Sequence, residues 1–312
     1  MVTWHTTEML PTWLRAYVSS LATTCEMPLI IRLQMLTEKH MWHSNTSTST
    51  SLDMKPLITI ATVTYNAEST LERTLRSVAS QDYARIEHLI IDGCSKDHTL
   101  SLVQRYVEEN QARHNIRLIC EPDNGLYDAM NKALLNATGD YIVFLNAGDC
   151  LHSSDTISSI SNLAQWRKGS HSHPAILYGD THLVDGEGNF LRRRRLTPPE
   201  KLTPDSFRNG MLVCHQSFYV RTDLAKQELY DLQYRYSADF DWCIRLVQRA
   251  KRRRLRIVNT QLVLTDYLNE GLTTRNHRAS LIERLHIMAH YYGWPATIIR
   301  HFWFIIRAII KR

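Results

Sequence analysis

The chain has 312 residues, of which 44% are hydrophobic and 22% charged, with a net charge of +6. That balance suits one large α/β domain with appendages, or two small domains, and argues against wholesale disorder. Six cysteines are dispersed without C-x-x-C spacing, which argues against a zinc ribbon or a disulfide framework and suits free thiols in a reducing compartment. There is no run of about 18 apolar residues to span a membrane.

Residues 1–55 read as an N-terminal appendage that closes in the low-complexity linker Asn45–Ser51. Its apolar stretch, Met9–Ala22, has no basic region before it and contains Arg15, so it does not read as a signal peptide. A clean strand, Leu57–Thr64, begins just after Met54, which predicts that residues 1–53 lie outside the catalytic fold. A helix follows over 67–80, with Leu71, Leu75 and Val78 on one stripe. Next come a strand at Ile86–Ile91 and a helix capped by Asp97, then a strand at Ile116–Cys120, a helix over 126–137 and a strand at Tyr141–Leu145. This β-α-β-α-β-α-β rhythm predicts a mostly parallel, Rossmann-like sheet flanked by helices. Beyond about residue 150 the pattern is mixed, with strands at 176–178, 213–220 and 255–264 and a helix at 239–250.

In parallel sheets, ligands bind beyond the carboxyl ends of the strands. Three such ends are rich in polar groups: Thr64-Tyr65-Asn66-Ala67-Glu68, Asp92-Gly93-Cys94-Ser95 and Asn146-Ala147-Gly148-Asp149. An aromatic such as Tyr65 can stack on a base, and Asp92 can accept from a base's ring N–H. Asp149 can hold a divalent cation that neutralises a diphosphate. Taken singly, each has a plainer reading: a turn at Asp92-Gly93, a helix cap at Asp149, a half-buried aromatic at Tyr65.

Four blocks in order resemble the family 2 glycosyltransferases: Thr62–Asn66, His88–Gly93, Glu121–Lys132 and Phe144–Asp149. They are most similar to the colanic-acid and exopolysaccharide branch. The resemblance covers roughly residues 57–270, and the Glu121–Lys132 block is its most specific element. It implies a GT-A fold and an enzyme that inverts the anomeric configuration. It implies nucleoside or donor contacts from Thr64, Tyr65, Asn66, Glu68 and Asp92, and a donor-pocket border formed by Asn124, Gly125, Asp128, Asn131 and Lys132. It places Asp149, with Asn146, in the motif that binds Mn²⁺ or Mg²⁺. Asn146 and Gly148 stand where aspartates are common in the family, and Gly93-Cys94 replaces a commoner Asp-Gly, leaving Asp92 for base recognition.

By the same resemblance Asp239, opening a helix in Ser237-Ala238-Asp239-Phe240-Asp241-Trp242, aligns with the general base. An inverting transfer requires a carboxylate to take the acceptor's hydroxyl proton; the plainer reading of Asp239 is a helix cap. Asp241 and Trp242 are expected on the acceptor side. In Cys214-His215-Gln216-Ser217, His215 and Gln216 are candidates for a diphosphate oxygen or an acceptor hydroxyl, with a structural histidine as the alternative. No role follows for Tyr178-Gly179-Asp180.

Two basic runs, Arg192–Arg195 and Lys251–Arg254, lack any nucleic-acid motif beside them and read as solvated faces or contacts to an anionic membrane, so no nucleic-acid partner is expected. Residues 297–312 read as a basic amphipathic helix, suited to a membrane interface or else docked on the protein's own core, with Phe302, Trp303, Ile306 and Ile310 apolar and Arg300, Arg307, Lys311 and Arg312 cationic. The expected organisation is an appendage at 1–55, a GT-A domain at 56–275 and a membrane-associating tail at 276–312. The expected partners are a UDP- or GDP-sugar, a lipid-linked saccharide acceptor and the inner face of a bacterial inner membrane, met from the cytoplasm. Two rivals are weaker. A sugar nucleotidylyltransferase needs a Gly-rich loop after the first strand, which Thr64–Ala67 is not. A basic binding protein would not place carboxylates at every strand tip.

Overall fold

Strand β1 (Ile58–Thr64) is buried along its whole length, as befits a central strand covered on both faces. In the computed structural model, which describes residues 55–163, 173–269 and 276–310 (305–310 in backbone only), β1 lies between two parallel neighbours. These are β2 (Ile86–Asp92) and β4 (Tyr141–Phe144), and β3 (Asn115–Cys120) extends the parallel set beyond β2. Helices α1 (Leu71–Ala79), α2 (Thr99–Asn110) and α3 (Leu126–Asn136) connect them, as the periodicity predicts. Helix α1 buries Leu71, Thr74, Leu75 and Val78, the i, i+3, i+4, i+7 stripe of an amphipathic helix. Asp97 lies one residue before the cap position of α2; it accepts from Thr99 N–H, the first N–H of the helix, and from Glu68 N–H.

The second half is mixed in direction. It comprises β5 (Cys150–Leu151), α4 (Thr156–Leu163), β6 (Ile176–Val184), β7 (Phe190–Arg193), β8 (Phe218–Arg221), α5 (Thr222–Ala225), α6 (Ala238–Arg252) and β9 (Ile257–Leu268). The nine strands among the described residues form one sheet in the order β3-β2-β1-β4-β8-β6-β9-β5, with β7 paired to β6. The strand expected at 213–220 is shorter: Cys214 leads into a 3₁₀ turn, His215–Ser217, and only Phe218–Arg221 pairs. That turn lifts His215 and Gln216 out of the ladder and frees their side chains for long-range contacts.

The element Tyr178-Gly179-Asp180 has a backbone role. A Cβ on Gly179 would lie 2.5 Å from Leu262 O and 2.7 Å from Thr260 Oγ1. Only glycine lets β9 cross β6 here, where the register between them slips. The run Lys251–Arg254 is exposed at the end of α6, where cations offset the negative end of the helix dipole.

Helices α7 (His277–Tyr292) and α8 (Trp294–Ile310) follow β9. Ile287 and Met288 of α7 are part of the main core, packed with α6. Helix α8 turns its buried Thr297 and its Phe304 toward the protein, while Trp294, Ile298, Ile299, Phe302 and Trp303 face outward. The side chains of Ile306, Arg307 and Ile310, and residues Lys311 and Arg312, lie outside the described residues, as does the appendage at 1–54. No helix among the described residues is long and apolar enough to cross a membrane.

Two buried polar residues of β2 tie the parallel strands together. Glu87 accepts from Thr59 Oγ1, from Thr138 N–H and Oγ1, and from Arg117, so β1, β3 and the turn before β4 meet on one carboxylate. Burial pushes its pKa up, but these donors overturn that and hold it below the usual range. His88 bonds Thr62 Oγ1 at 3.0 Å and Tyr106 OH at 2.8 Å in a fully buried pocket. Burial, with the charge of His114 adding to it, drives its pKa down to about 3. The unfolded chain protonates this ring near pH 6.5, about the free histidine value, and the folded chain does so only near pH 3. Stability is therefore lost as pH falls through that window. The thermal midpoint of the wild type should drop more between pH 7 and pH 4.5 than that of His88→Gln, and equal slopes would show that His88 is not the acid-sensitive group.

Candidate active site

The carboxyl ends of β1, β2 and β3 converge on a narrow gap. A Cβ on Gly93 would lie 2.4 Å from Asp123 Oδ2 and 3.3 Å from Tyr65 Cδ2, so this glycine permits the other two tips to close over it. Tyr65 is 58% exposed, which leaves a ring face open to a flat ligand. Two non-glycine residues here adopt left-handed backbone, Asn66 with φ 48° and Cys94 with φ 63°. Such conformations are uncommon and persist where contacts over-determine them. Asn66 N–H donates to Ser95 Oγ, Asn66 Oδ1 accepts from Lys96 N–H, and Glu68 accepts from His98 N–H, so Asn66 and Glu68 brace the two loops together.

Asp92 is fully buried, and both its oxygens accept from Ser95, one from N–H at 2.7 Å and one from Oγ at 2.6 Å. Thr64 is also buried, with its Oγ1 lacking a hydrogen-bond partner. Asp123, between Tyr65 and Gly93, is the more open carboxylate; its Oδ1 accepts from Gly125 N–H. It sits inside the Glu121–Lys132 block but was not singled out by residue type, because only the close approach at Gly93 marks it.

The block's other members mostly hold the local backbone. Asp128 accepts from Asn124 N–H and Nδ2 at the start of α3, where negative charge is favoured by the helix dipole. Gly125 holds φ 116° with open space where a Cβ would be. Lys132 pairs with Glu121 and donates to Pro122 O. Asn131 is buried and exchanges two hydrogen bonds with the backbone of Tyr230, so it pins a distant loop rather than bordering the gap.

Asp149 lies just before β5 and is 4% exposed. Its Oδ1 accepts from Leu268 N–H at 3.0 Å and its Oδ2 from Gln216 Nε2 at 2.8 Å. Burial raises its pKa to about 6, against the opposing pull of those two donors and of the His215 and Arg73 charges. Gly148, at φ 100°, makes the turn; a Cβ there would lie 2.7 Å from Leu268 Cδ2.

Asp239, in the first turn of α6, accepts from Tyr127 OH at 3.1 Å and from its neighbour Phe240 N–H. His215 Nδ1 lies 3.2 Å from Asp239 Oδ2, and His215 Nε2 lies 3.3 Å from Asn146 Nδ2. One tautomer satisfies both contacts: Nδ1–H donates to the carboxylate, and bare Nε2 accepts from the amide. Burial would raise the Asp239 pKa, but the His215 bond and the charges of His215 and Arg284 hold it below the usual range. Asn146 Oδ1 is then left buried without a partner. A chain of contacts thus joins Asp239, His215 and Asn146, while Gln216 of the same 3₁₀ turn reaches Asp149. Hard oxygen donors from Asp149 and the unpartnered Asn146 Oδ1 suit a divalent cation.

Two candidates lie elsewhere. Trp242 is fully buried, stacks on Tyr230 at 4.7 Å and donates to Glu228 O. Asp241 is 4% exposed and accepts from Arg245 at 2.7 Å and from Tyr291 OH at 2.7 Å. Helical geometry turns Asp241, at i+2, away from Asp239, whereas Trp242, at i+3, is drawn into the core by its stack on Tyr230 and its bond to Glu228 O.

The model of the family described as "Glycosyl transferase family 2" matches residues 59–226, more than half of the chain. A PGL/p-HBAD biosynthesis glycosyltransferase of Mycobacterium bovis is 29% identical over 191 residues, covering 61% of this chain and 69% of that protein. TuaG of Bacillus subtilis, a putative teichuronic acid biosynthesis glycosyltransferase, is 38% identical over 95 residues, covering 30% of this chain and 37% of that protein. Among solved structures, Staphylococcus aureus TarS 1–349 in complex with UDP is similar with TM-score 0.57 at 18% identity, over 74% of this chain and 64% of that one. The Pyrobaculum calidifontis mannosyltransferase PcManGT, in complex with GDP-Man and Mn²⁺, is similar with TM-score 0.53 at 16% identity, over 86% of this chain and 80% of that one. These neighbours share the GT-A architecture of a curled α/β sheet with flanking helices, and the chain is a glycosyltransferase belonging to glycosyl transferase family 2.

Proposed function

We propose that the chain is an inverting transferase of the exopolysaccharide branch, moving a hexosyl or deoxyhexosyl group from a UDP- or GDP-sugar to a lipid-linked saccharide acceptor. The product would enter exopolysaccharide, capsule or O-antigen synthesis. The observation that carries this reading is the half-buried Asp239 carboxylate, held by His215 and Tyr127 within one contact chain of Asn146. The UDP and GDP-Man of the structural neighbours, and the teichuronic acid assignment of TuaG, support a nucleotide-sugar donor and an envelope polysaccharide. The transfer domain is assigned to residues 56–275, with 1–55 an appendage and 276–312 a C-terminal region whose α7 packs on the core and whose α8 associates with the membrane.

The donor base stacks on Tyr65, with Thr64 and Asp92 beneath it and Asn66 and Glu68 bracing the loops. The Asn124–Lys132 segment borders the pocket, its N–H-rich start facing the donor. The acceptor hydroxyl gives its proton to Asp239. A bond forms from its oxygen to the anomeric carbon as the bond from that carbon to the diphosphate breaks, with the electron pair leaving on the diphosphate. His215 keeps Asp239 ionised and oriented, as the third group does in other acid–base constellations. Asp149 and Asn146 would hold Mn²⁺ or Mg²⁺, which supplies charge neutralisation for the departing diphosphate.

The exposed stripe Trp294, Ile298, Ile299, Phe302 and Trp303 on α8 is assigned to the acyl boundary of an anionic bilayer, with the chain peripheral on the inner face of the inner membrane. The exposed Arg300 lies on the same helix, and a surface-held enzyme meets a lipid-linked acceptor at high local concentration.

Three outcomes follow. Asp239→Asn should lower transfer by about 10²–10⁴-fold with nucleotide affinity retained, since only proton removal is lost; near-normal turnover in a single-turnover assay would remove Asp239 from the role. Asp149→Ala should weaken cation-dependent donor binding by at least about tenfold, on the order of 1.4 kcal/mol or more, by calorimetry with and without chelator. Equal donor affinity in all four conditions would mean the cation is held elsewhere. The double change Phe302→Asp with Trp303→Asp should release the protein from phosphatidylglycerol liposomes, because each buried aromatic contributes about 1.5–3 kcal/mol, while donor hydrolysis stays level. Unchanged co-sedimentation would turn this stripe into an ordinary exposed helix face.

A further inference from the structure

Behind the Asp149 turn, three strands bring together two imidazoles and a carboxylate that the transfer reaction does not use. His152 follows β5, His182 lies on β6 and Asp266 on β9, and His182 and Asp266 are register partners across the parallel β6–β9 pair. His152 Nδ1 lies 2.8 Å from Asp266 Oδ1, and the two histidine rings sit edge to face with centroids 5.0 Å apart. One ligand atom from each of the three residues lies within 4.8 Å of the other two. We propose that His152, His182 and Asp266 form a Zn²⁺ site, closed by water, that clamps β5, β6 and β9 together.

A second observation points to a ligand. His182 Nε2 is buried and has no hydrogen-bond partner. A buried imidazole nitrogen is normally satisfied, and an orphan calls for an ion or water that completes it. The ring is kept neutral by its surroundings: burial pulls its pKa down, and the His152 charge reinforces this. A neutral ring offers the lone pair that a metal needs. Phe190, whose ring meets His182 edge to face at 4.7 Å, limits the ring's freedom on its other side.

The donor set fits the ion. Two imidazoles and one carboxylate, with a fourth position open, are a common first shell for Zn²⁺. With metal–ligand distances of about 2.0–2.2 Å, tetrahedral ligands sit about 3.3 Å apart. The His152–Asp266 pair is already inside that distance, and no separation among the three ligand atoms exceeds 4.8 Å. Asp266 and Asp180 bring negative charge to His182, against His152 and, on the neighbouring strand, Arg193. Access is open, because the side chains of His152 and Asp266 are 36% and 22% exposed. The clamp would also have a consequence for the active site. Asp266 is two residues before Leu268, whose N–H holds Asp149, and Cys150, next to Asp149, pairs with Asp266.

The test uses the full chain, stripped with a chelator and titrated with ZnCl₂ against a chromogenic competitor, with Co²⁺ absorption as a second reading. One tight equivalent is expected in the wild type, with Co²⁺ giving visible bands of a low-coordinate nitrogen–oxygen site. His182→Gln should weaken that equivalent more than tenfold and abolish the zinc-induced rise in thermal midpoint. His152→Gln, at the exposed member, should do the same, and it carries the test if His182→Gln fails to fold. Asp149→Ala should keep the tight equivalent, which separates this site from the donor cation. No tight equivalent in the wild type, wild-type zinc affinity in both histidine variants, or loss only in Asp149→Ala would each overturn the proposal, whatever the fate of the transferase reading.

Discussion

One carboxylate joins the two halves of this molecule. Asp149 sits at the end of the parallel half, and its two oxygens take hydrogen bonds from Leu268 N–H at the end of β9 and from Gln216 in the 3₁₀ turn before β8. Burying a carboxylate is costly unless donors meet it, and here both donors come from the second half. The mixed strands must therefore arrive in register before the turn after β4 can be stable. The same two bonds set where His215 stands, because it is the neighbour of Gln216, and so where Asp239 can be met.

The electrostatics divide the two acidic groups. Asp149 is pushed up to about 6 by burial, with only neutral donors in direct contact. Asp239 is more open to solvent, and a histidine on its oxygen and Arg284 nearby hold it below the ordinary range. One site thus carries a carboxyl whose charge a cation would restore, and another whose charge is already secured. Groups set apart in this way commonly divide roles in catalysis. The arrangement depends on residues from β4, the 3₁₀ turn and α6, far apart in sequence.

Much of the first half was legible from residue pattern. Apolar runs of β-branched residues mark β1 and β2, helical stripes mark α1 to α3, and the polar tips fall where a parallel sheet places ligands. The second half was less so, for physical reasons. Strands β5 and β7 have two and four residues, too few for a period to register. The turn at His215–Ser217 interrupts what reads as one continuous strand, because its side chains bond across the molecule instead of alternating. Asn131, Asp241 and Trp242 look like site residues by type and neighbourhood, and only their partners, Tyr230, Arg245 with Tyr291, and Glu228, reveal them as braces. Tyr127, conversely, reads as an ordinary helical aromatic until its hydroxyl is seen on Asp239.

Helix α7 acts on α6 as a strut. Its Glu283 accepts from the backbone N–H groups of Arg235 and Tyr236 at 2.8 Å each, and Ser280 meets Ser237, the residue that starts α6. These N–H groups lie just before the cap residue Ser237 and, buried or not, need acceptors; here they are taken by a segment nearly fifty residues later. The turn that carries Asp239 is thus moored from outside its own helix. Mechanical load applied to the C-terminal helices would be carried into that turn, and removal of α7 would leave it with two bare N–H groups even though every described strand of the sheet survived.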